Sequence, residues 1–373
     1  MAELRTLVLV GGVLLLLGVA TTVLHLLRNR DDSSLDTAVL RTFRMRVRAW
    51  WVLFAILALA FLIGGTATVV LFGLMGFWAL REFITLTPTR PGDHRALFWV
   101  FFLFTPLQFV LVGMDLYETF GIDWYALYSI VIPIYGLLFV LARVALAGDY
   151  KRFLERVAKI QVGLLICVYC LSYVPALLTL DLPTEEQAAE AAAAPAPTGN
   201  AAGAESARNP EAPEPPDGTD AEAEDGDRPY WGANLALLFF FVLIVQLSDA
   251  LQYAWAQIPS RHPIAPTINP NKTWEGLLGG TGSVALVGAA LWWATPFSGE
   301  DWWMAAVMSM VIAVMGFGGS ITMSAIKRDR GVKDYGTLVE GHGGILDRID
   351  SLCFAAPVFF HLTSLWLEWQ RSQ

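Results

Sequence analysis

SAIKRDRGVKDYG at residues 324–336 and GHGGILDRIDS at 341–351 set a dense block of charge between two apolar runs, 302–323 and 352–369, each about long enough to cross a bilayer. Charge at a membrane boundary is costly unless it is solvated, paired or used. Lys327, Arg328, Arg330, Lys333 and Arg348 suit a polyanion, and Asp334, Asp347 and Asp350 suit a hard cation. Gly341, Gly343 and Gly344 allow the backbone to approach a phosphate closely. A loop that served only to orient the chain would need lysine and arginine alone. The carboxylates threaded among them and the Gly-His-Gly-Gly turn go further, and read as a phosphate-and-metal site at a membrane face.

Outward from this block the chain is a membrane protein by composition: 55% hydrophobic, 16% charged and 14 Trp in 373 residues, where soluble domains carry about a quarter charged residues. Apolar runs at 6–27, 50–80 (broken near Gly64-Gly65), 97–114, 124–146, 160–180, 231–254, 277–297, 302–323 and 352–369 predict an all-α, polytopic fold of about ten transmembrane helices. Basic flanks at Arg48 and Arg81 predict that 50–80 forms a hairpin. The run at 6–27 is long and lacks a small-residue cleavage site, so it reads as a retained helix rather than a signal peptide. Cys167-x-x-Cys170 lies inside an apolar run and reads as packing rather than as a redox or zinc pair.

Four regions follow: an N-terminal helix (1–27), membrane helices with basic loops (28–182), an acidic Ala/Pro-rich linker (183–228) and a C-terminal membrane region (229–373). The linker holds twelve of the acidic residues and no large apolar side chain, so it is expected to stay disordered. It also explains the formal net charge of −9. Basic and non-basic connectors alternate, and the positive-inside rule then places both termini outside and the 324–351 loop in the cytoplasm.

A second block of chemistry precedes the first. Asp249 falls at the inner end of an apolar run, where a carboxylate needs a cation or a lysine. Lys272 and Thr273 follow a Pro-Asn turn at the start of a helix, where free N–H groups, a hydroxyl and an ammonium converge on anions. Glu275 is placed to cap that helix.

The pattern S-x-x-K-R-x-x-x-x-K-D-x-G-x-x-x-x-G-H-G-G-x-x-D-R-x-D over 324–350 resembles the signature of the CDP-diacylglycerol synthases, or phosphatidate cytidylyltransferases. The Asp249 and Lys272-Thr273 blocks are similar to that family's upstream motifs. The resemblance implies transfer of a cytidylyl group from CTP to phosphatidate with release of pyrophosphate, in phospholipid biosynthesis. It implies catalytic roles for Lys327, Arg328, Lys333, Asp347 and Asp350, and substrate contacts from Lys272, Thr273, Ser324, His342, Gly343, Gly344 and Arg348. Asp249, Asp334, Asp347 and Asp350 would hold Mg²⁺.

The expected partners are CTP, phosphatidate or a related lipid phosphate, and the bilayer, in a bacterial inner membrane. No nucleic acid is expected, and a homodimer stays open. Three departures mark a divergent branch: Gln252 stands for the usual Ala, Asn269 for the usual Ser, and Gly319-Ser320 for the usual Gly-Asp. Two other readings stay open: a weakened paralogue that binds lipid or acts on a different lipid phosphate, and a transporter.

Overall fold

The computed structural model of the protein describes residues 55–61, 63–182, 231–258, 262–295, 297, 302–336 and 343–372, together with residues 11, 18, 21, 22 and 51. The expected N-terminal helix and basic connector fall almost wholly outside the described residues, and the acidic linker does so entirely.

Among the described residues, seven helices are long and apolar enough to cross a membrane: α1 (Gly65–Leu86), α2 (Pro91–Leu116), α3 (Tyr125–Ala145), α4 (Phe153–Thr179), α5 (Trp231–Trp255), α7 (Trp302–Asp329) and α8 (Leu346–Arg371). Between α5 and α7 lies α6 (Trp274–Ala290), whose 17 residues rise about 26 Å. A two-stranded antiparallel hairpin, β1 (Pro263–Ala265) and β2 (Asn269–Thr273), joins α5 to α6. The fold is all-α and polytopic as expected, although the described residues do not reach ten spans. The hairpin expected at 50–80 is corrected in its second arm. Gly64, at φ 125°, breaks the run where expected, but α1 then runs for 22 residues, beyond Arg81 to Leu86, and is long enough for a full span. Arg81 stacks on Trp78 and Glu82 is held inside the protein, so neither charge ends the helix.

Close approach of α5, α6 and α7 depends on glycine. A Cβ at Gly280 would lie 2.8 Å from the Gln252 backbone, and one at Gly288 would lie 2.9 Å from the Ala305 carbonyl. The spans α2, α3 and α4 each widen into a π-helical turn, at Val100–Phe104, Val131–Gly136 and Leu165–Cys170. Carbonyls near two of these turns are taken up by side chains, since hydrocarbon offers no water. Thr105 Oγ1 donates to Val100 O (2.9 Å) and Gln161 Nε2 to Ile132 O (3.0 Å). Exposed Phe102, Leu138, Leu286 and Val314 cover outward faces, as suits a protein whose solvent is lipid. Cys167, Cys170 and Cys353 are free thiols set in the packing.

The spans alternate in direction, which gathers the C-terminal ends of α1, α5 and α7 and the N-terminal ends of α2, α4, α6 and α8 on one face. On the other face Arg371 Nη2 pairs with Asp181 (2.6 Å), and Asn234 Nδ2 donates to Leu178 O (2.7 Å) and Leu180 O (2.8 Å). Among the described residues, Arg371 is the one Lys or Arg on that second face. The first face is tied across its N-terminal half by Arg156, whose Nε donates to Asp93 Oδ1 (2.8 Å), and by Arg90 and Asp149 (2.7 Å). The hydrogen bond from Arg90 holds the Asp149 carboxyl below the usual carboxylate range.

Candidate active site

The last turns of α7 and the first turns of α8 meet on the basic face. Lys327 Nζ lies 2.7 Å from Asp347 Oδ1, while Asp347 Oδ2 accepts from Tyr335 N (2.8 Å) and Gly344 N (2.9 Å). Tyr335 is buried, donates its hydroxyl to Met323 O (3.0 Å) and lies under the Lys327 ammonium (5.4 Å). Burial pushes its phenol well above the ordinary range. A cavity of about 190 Å³ opens beside these groups, lined by Asn269, Asn271, Ser324, Lys327, Arg328, Lys333 and Asp334.

The hairpin supplies the facing wall. Asn269 Nδ2 donates to Ser324 Oγ (3.2 Å), and Arg328 Nε donates to Ile268 O (3.1 Å), which docks β2 onto the end of α7. Lys272 projects toward α5, where Nζ lies 4.0 Å from Asp249 Oδ1 and 3.4 Å from Gln252 Oε1, above the Phe317 ring at 4.9 Å. Gln252 is buried and donates to Ser248 Oγ (2.9 Å) and Ala313 O (3.2 Å). The polar side chain that departs from the family's Ala therefore joins α5, α7 and Lys272.

Asp350 lies within electrostatic reach of Asp249, Lys272 and Lys327, and Ser351 sits beside both carboxylates. Among the described residues no group of three or more His, Cys, Asp or Glu converges as a metal cluster. Mg²⁺ commonly takes one or two carboxylates and completes its shell with water and substrate phosphates, so the Asp249–Asp350 pair fits such an ion. Position 320, where serine replaces a carboxylate of the resembled family, follows Gly319, which is pressed against this turn. A Cβ on Gly319 would come within 2.7 Å of Asp350 O.

Several expected site residues have other duties. Asp347 was expected to ligate metal, but both its oxygens are engaged by Lys327 and by backbone N–H groups. Thr273 is fully buried and its hydroxyl accepts from Gly276 N (3.0 Å), so it caps α6 instead of facing the cavity. Glu275 bonds His262, with Oε1 2.5 Å from Nδ1, and also its own backbone N–H in the first turn of α6. Gly343 has φ +81°, and a Cβ there would lie 2.6 Å from Asp347 Oδ2, so its role is to turn the backbone around that carboxylate. Arg348 sits on the first turn of α8, half-buried, outside the cavity lining. His342 lies outside the described residues.

Sequence reasoning missed Glu82. Its carboxylate comes from α1 and accepts from Ile345 N (3.0 Å) and Leu346 N (2.9 Å) at the start of α8. The available signal was an acidic residue at the end of an apolar run, directly after Arg81.

The uncharacterized protein YnbB of Escherichia coli (strain K12) is 32% identical over 319 residues, which cover 85% of this chain and 86% of that protein. A phosphatidate cytidylyltransferase of Mycobacterium leprae (strain TN) is 35% identical over 128 residues, 34% of this chain and 40% of the relative. One from Staphylococcus aureus (strain COL) is 36% identical over 125 residues, 34% of this chain and 48% of the relative. The matches to named enzymes thus span a third of the chain, while the near full-length relative is itself uncharacterized, as suits a divergent branch. The sequence profile described as "Cytidylyltransferase family" matches residues 44–366, and on that match this chain belongs to the cytidylyltransferase family.

Proposed function

We propose that the protein transfers the cytidylyl group of CTP to phosphatidate, or to a closely related lipid phosphate, forming CDP-diacylglycerol and pyrophosphate. The observation that carries this reading is the cavity of about 190 Å³ lined by Lys327, Arg328 and Lys333, set among helix ends at one membrane face. A phosphate oxygen of the lipid attacks the α-phosphorus of CTP. The new P–O bond forms as the bond to the β-phosphate oxygen breaks, and pyrophosphate carries away the electron pair. Such transfers depend on positioning and charge neutralisation more than on covalent help from protein. A lipid phosphate is already ionised near neutral pH, so no general base is required.

Lys327, Arg328 and Lys333 neutralise the phosphates, and Asp347 fixes where Lys327 points. Lys272 adds a cation from the hairpin side, held by Gln252 and Asp249. Asp249 and Asp350 would hold Mg²⁺, which supplies charge neutralisation at the nucleotide phosphates when bound. A second cavity of about 260 Å³ lies between α1, α4 and α7, lined by Phe83, Val162 and Ile326 with Lys159 and Arg330 among its polar residues. The final turn of α7 contributes to both cavities, which supports entry of the lipid chain from the side. The basic residues clustered on this face support a cytoplasmic orientation in a bacterial inner membrane.

The test is release of pyrophosphate by purified protein in mixed micelles. Release should require CTP and phosphatidate together. CTP-independent or lipid-independent behaviour would favour a transporter or a lipid-binding paralogue.

A further inference from the structure

We infer that Glu82 is a positioning residue for the site: from a span 263 residues away it fixes the turn that sets Asp347, and through Asp347 it sets Lys327. The link runs through four contacts. Glu82 Oε1 and Oε2 accept from Ile345 N and Leu346 N, two N–H groups at the start of α8 that the helix itself leaves unpaired. The preceding residue, Gly344, donates its N–H to Asp347 Oδ2 (2.9 Å). Asp347 then holds Lys327 at 2.7 Å, on the cavity wall.

The fit around Glu82 is close. A Cβ on Gly336 would lie 2.9 Å from Glu82 Oε1, and one on Gly344 would overlap Oε2. The signature loop therefore passes the carboxylate on both sides with room for hydrogen alone. Phe83, the next residue, stacks on Tyr335 (centroids 6.4 Å, interplanar angle 18°), and Tyr335 N is the other backbone donor to Asp347. Residues 82 and 83 thus buttress both strands of chain that converge on Asp347. Glu82 itself is 5% exposed and does not line the cavity, so direct contact with substrate is not its function. A carboxylate at a helix N-terminus is also favoured by the helix dipole, which makes this cap specific for an acid.

This inference rests on the proposed cytidylyl transfer for its kinetic consequence but not for its structural one, and the test separates the two. The variants are Glu82→Gln, which keeps the size and loses one acceptor, and Gly344→Ala, which keeps Glu82 and denies it room. Hydrogen exchange of the peptide covering 334–346 in detergent requires no activity. Both variants should exchange this peptide at least about 10-fold faster, with peptides of α5 unchanged. Unchanged exchange would overturn the inference whatever reaction the protein catalyses.

The second readout is a double-mutant cycle on kcat with Lys327→Gln. Glu82→Gln alone should lower kcat about 30-fold, and by less than about 3-fold in the Lys327→Gln background. A merely structural role would lower both backgrounds by the same factor. Such a result would overturn the link to Lys327.

Discussion

Lys327 Nζ sits 2.7 Å from Asp347 Oδ1, and the other oxygen of Asp347 is filled by two backbone N–H groups. Asp347 is thus an internal clamp, and the proposed Mg²⁺ site rests on the Asp249–Asp350 pair. The two kinds of carboxylate should respond differently to the same substitution. Asp347→Asn should lower kcat about 100-fold and leave the half-saturating Mg²⁺ concentration within about 2-fold. Asp350→Asn should raise that concentration at least about 10-fold. Mg²⁺ titrations of initial rate measure both, and a large Mg²⁺ shift in Asp347→Asn would return that residue to the ligand set.

Ser320 offers the complementary gain. Ser320 lies one helical turn before Ser324 on the same face of α7, and Ser324 lines the cavity. Ser320→Asp should tighten the apparent Mg²⁺ affinity several-fold, with phosphatidate turnover unchanged or raised. Abolition of a robust wild-type activity would place Ser320 against substrate instead.

Much of this architecture was legible in the sequence, because length and apolarity define a span wherever lipid is the solvent. What the apolar runs understated was where helices end. The structure carries α4 back to Phe153, α7 on to Asp329 and α8 back to Leu346, through Arg156, Lys327, Asp347 and Asp350. Each of those charges is paired or screened by another element, a relationship between distant parts of the chain that no local pattern records. The same limit explains the site. Lys327, Arg328 and Lys333 were found by their spacing, whereas the capping by Thr273, the clamp at Asp347 and the reach of Glu82 depend on tertiary packing.

The lipid route gives a prediction that does not involve the charged residues. Val162 is 38% exposed on the wall of the apolar cavity between α1, α4 and α7. Val162→Trp should fill part of that space and raise KM for phosphatidate about 5-fold or more, with KM for CTP unchanged. Equal kinetics in mixed micelles would send the acyl chain elsewhere.

Orientation is tested by labelling. Asp329 is exposed on the basic face and Asp181 on the opposite face. In a background with Cys167, Cys170 and Cys353 replaced, a single cysteine at position 181 should react with a membrane-impermeant maleimide in intact spheroplasts. One at 329 should react only after permeabilisation. The reverse pattern would invert the topology and put the cavity outside.

The central claim, cytidylyl transfer to a lipid phosphate, is tested most directly by following which phosphorus moves. Purified protein is incubated with Mg²⁺, phosphatidate and CTP labelled at either the α- or the γ-phosphate, and the lipid phase is extracted. The account predicts α-label in a lipid product, γ-label confined to aqueous pyrophosphate, and both signals strongly reduced, yet measurable, in Lys327→Gln. Lipid product free of α-label at every Mg²⁺ concentration, or γ-label appearing in lipid, would contradict it.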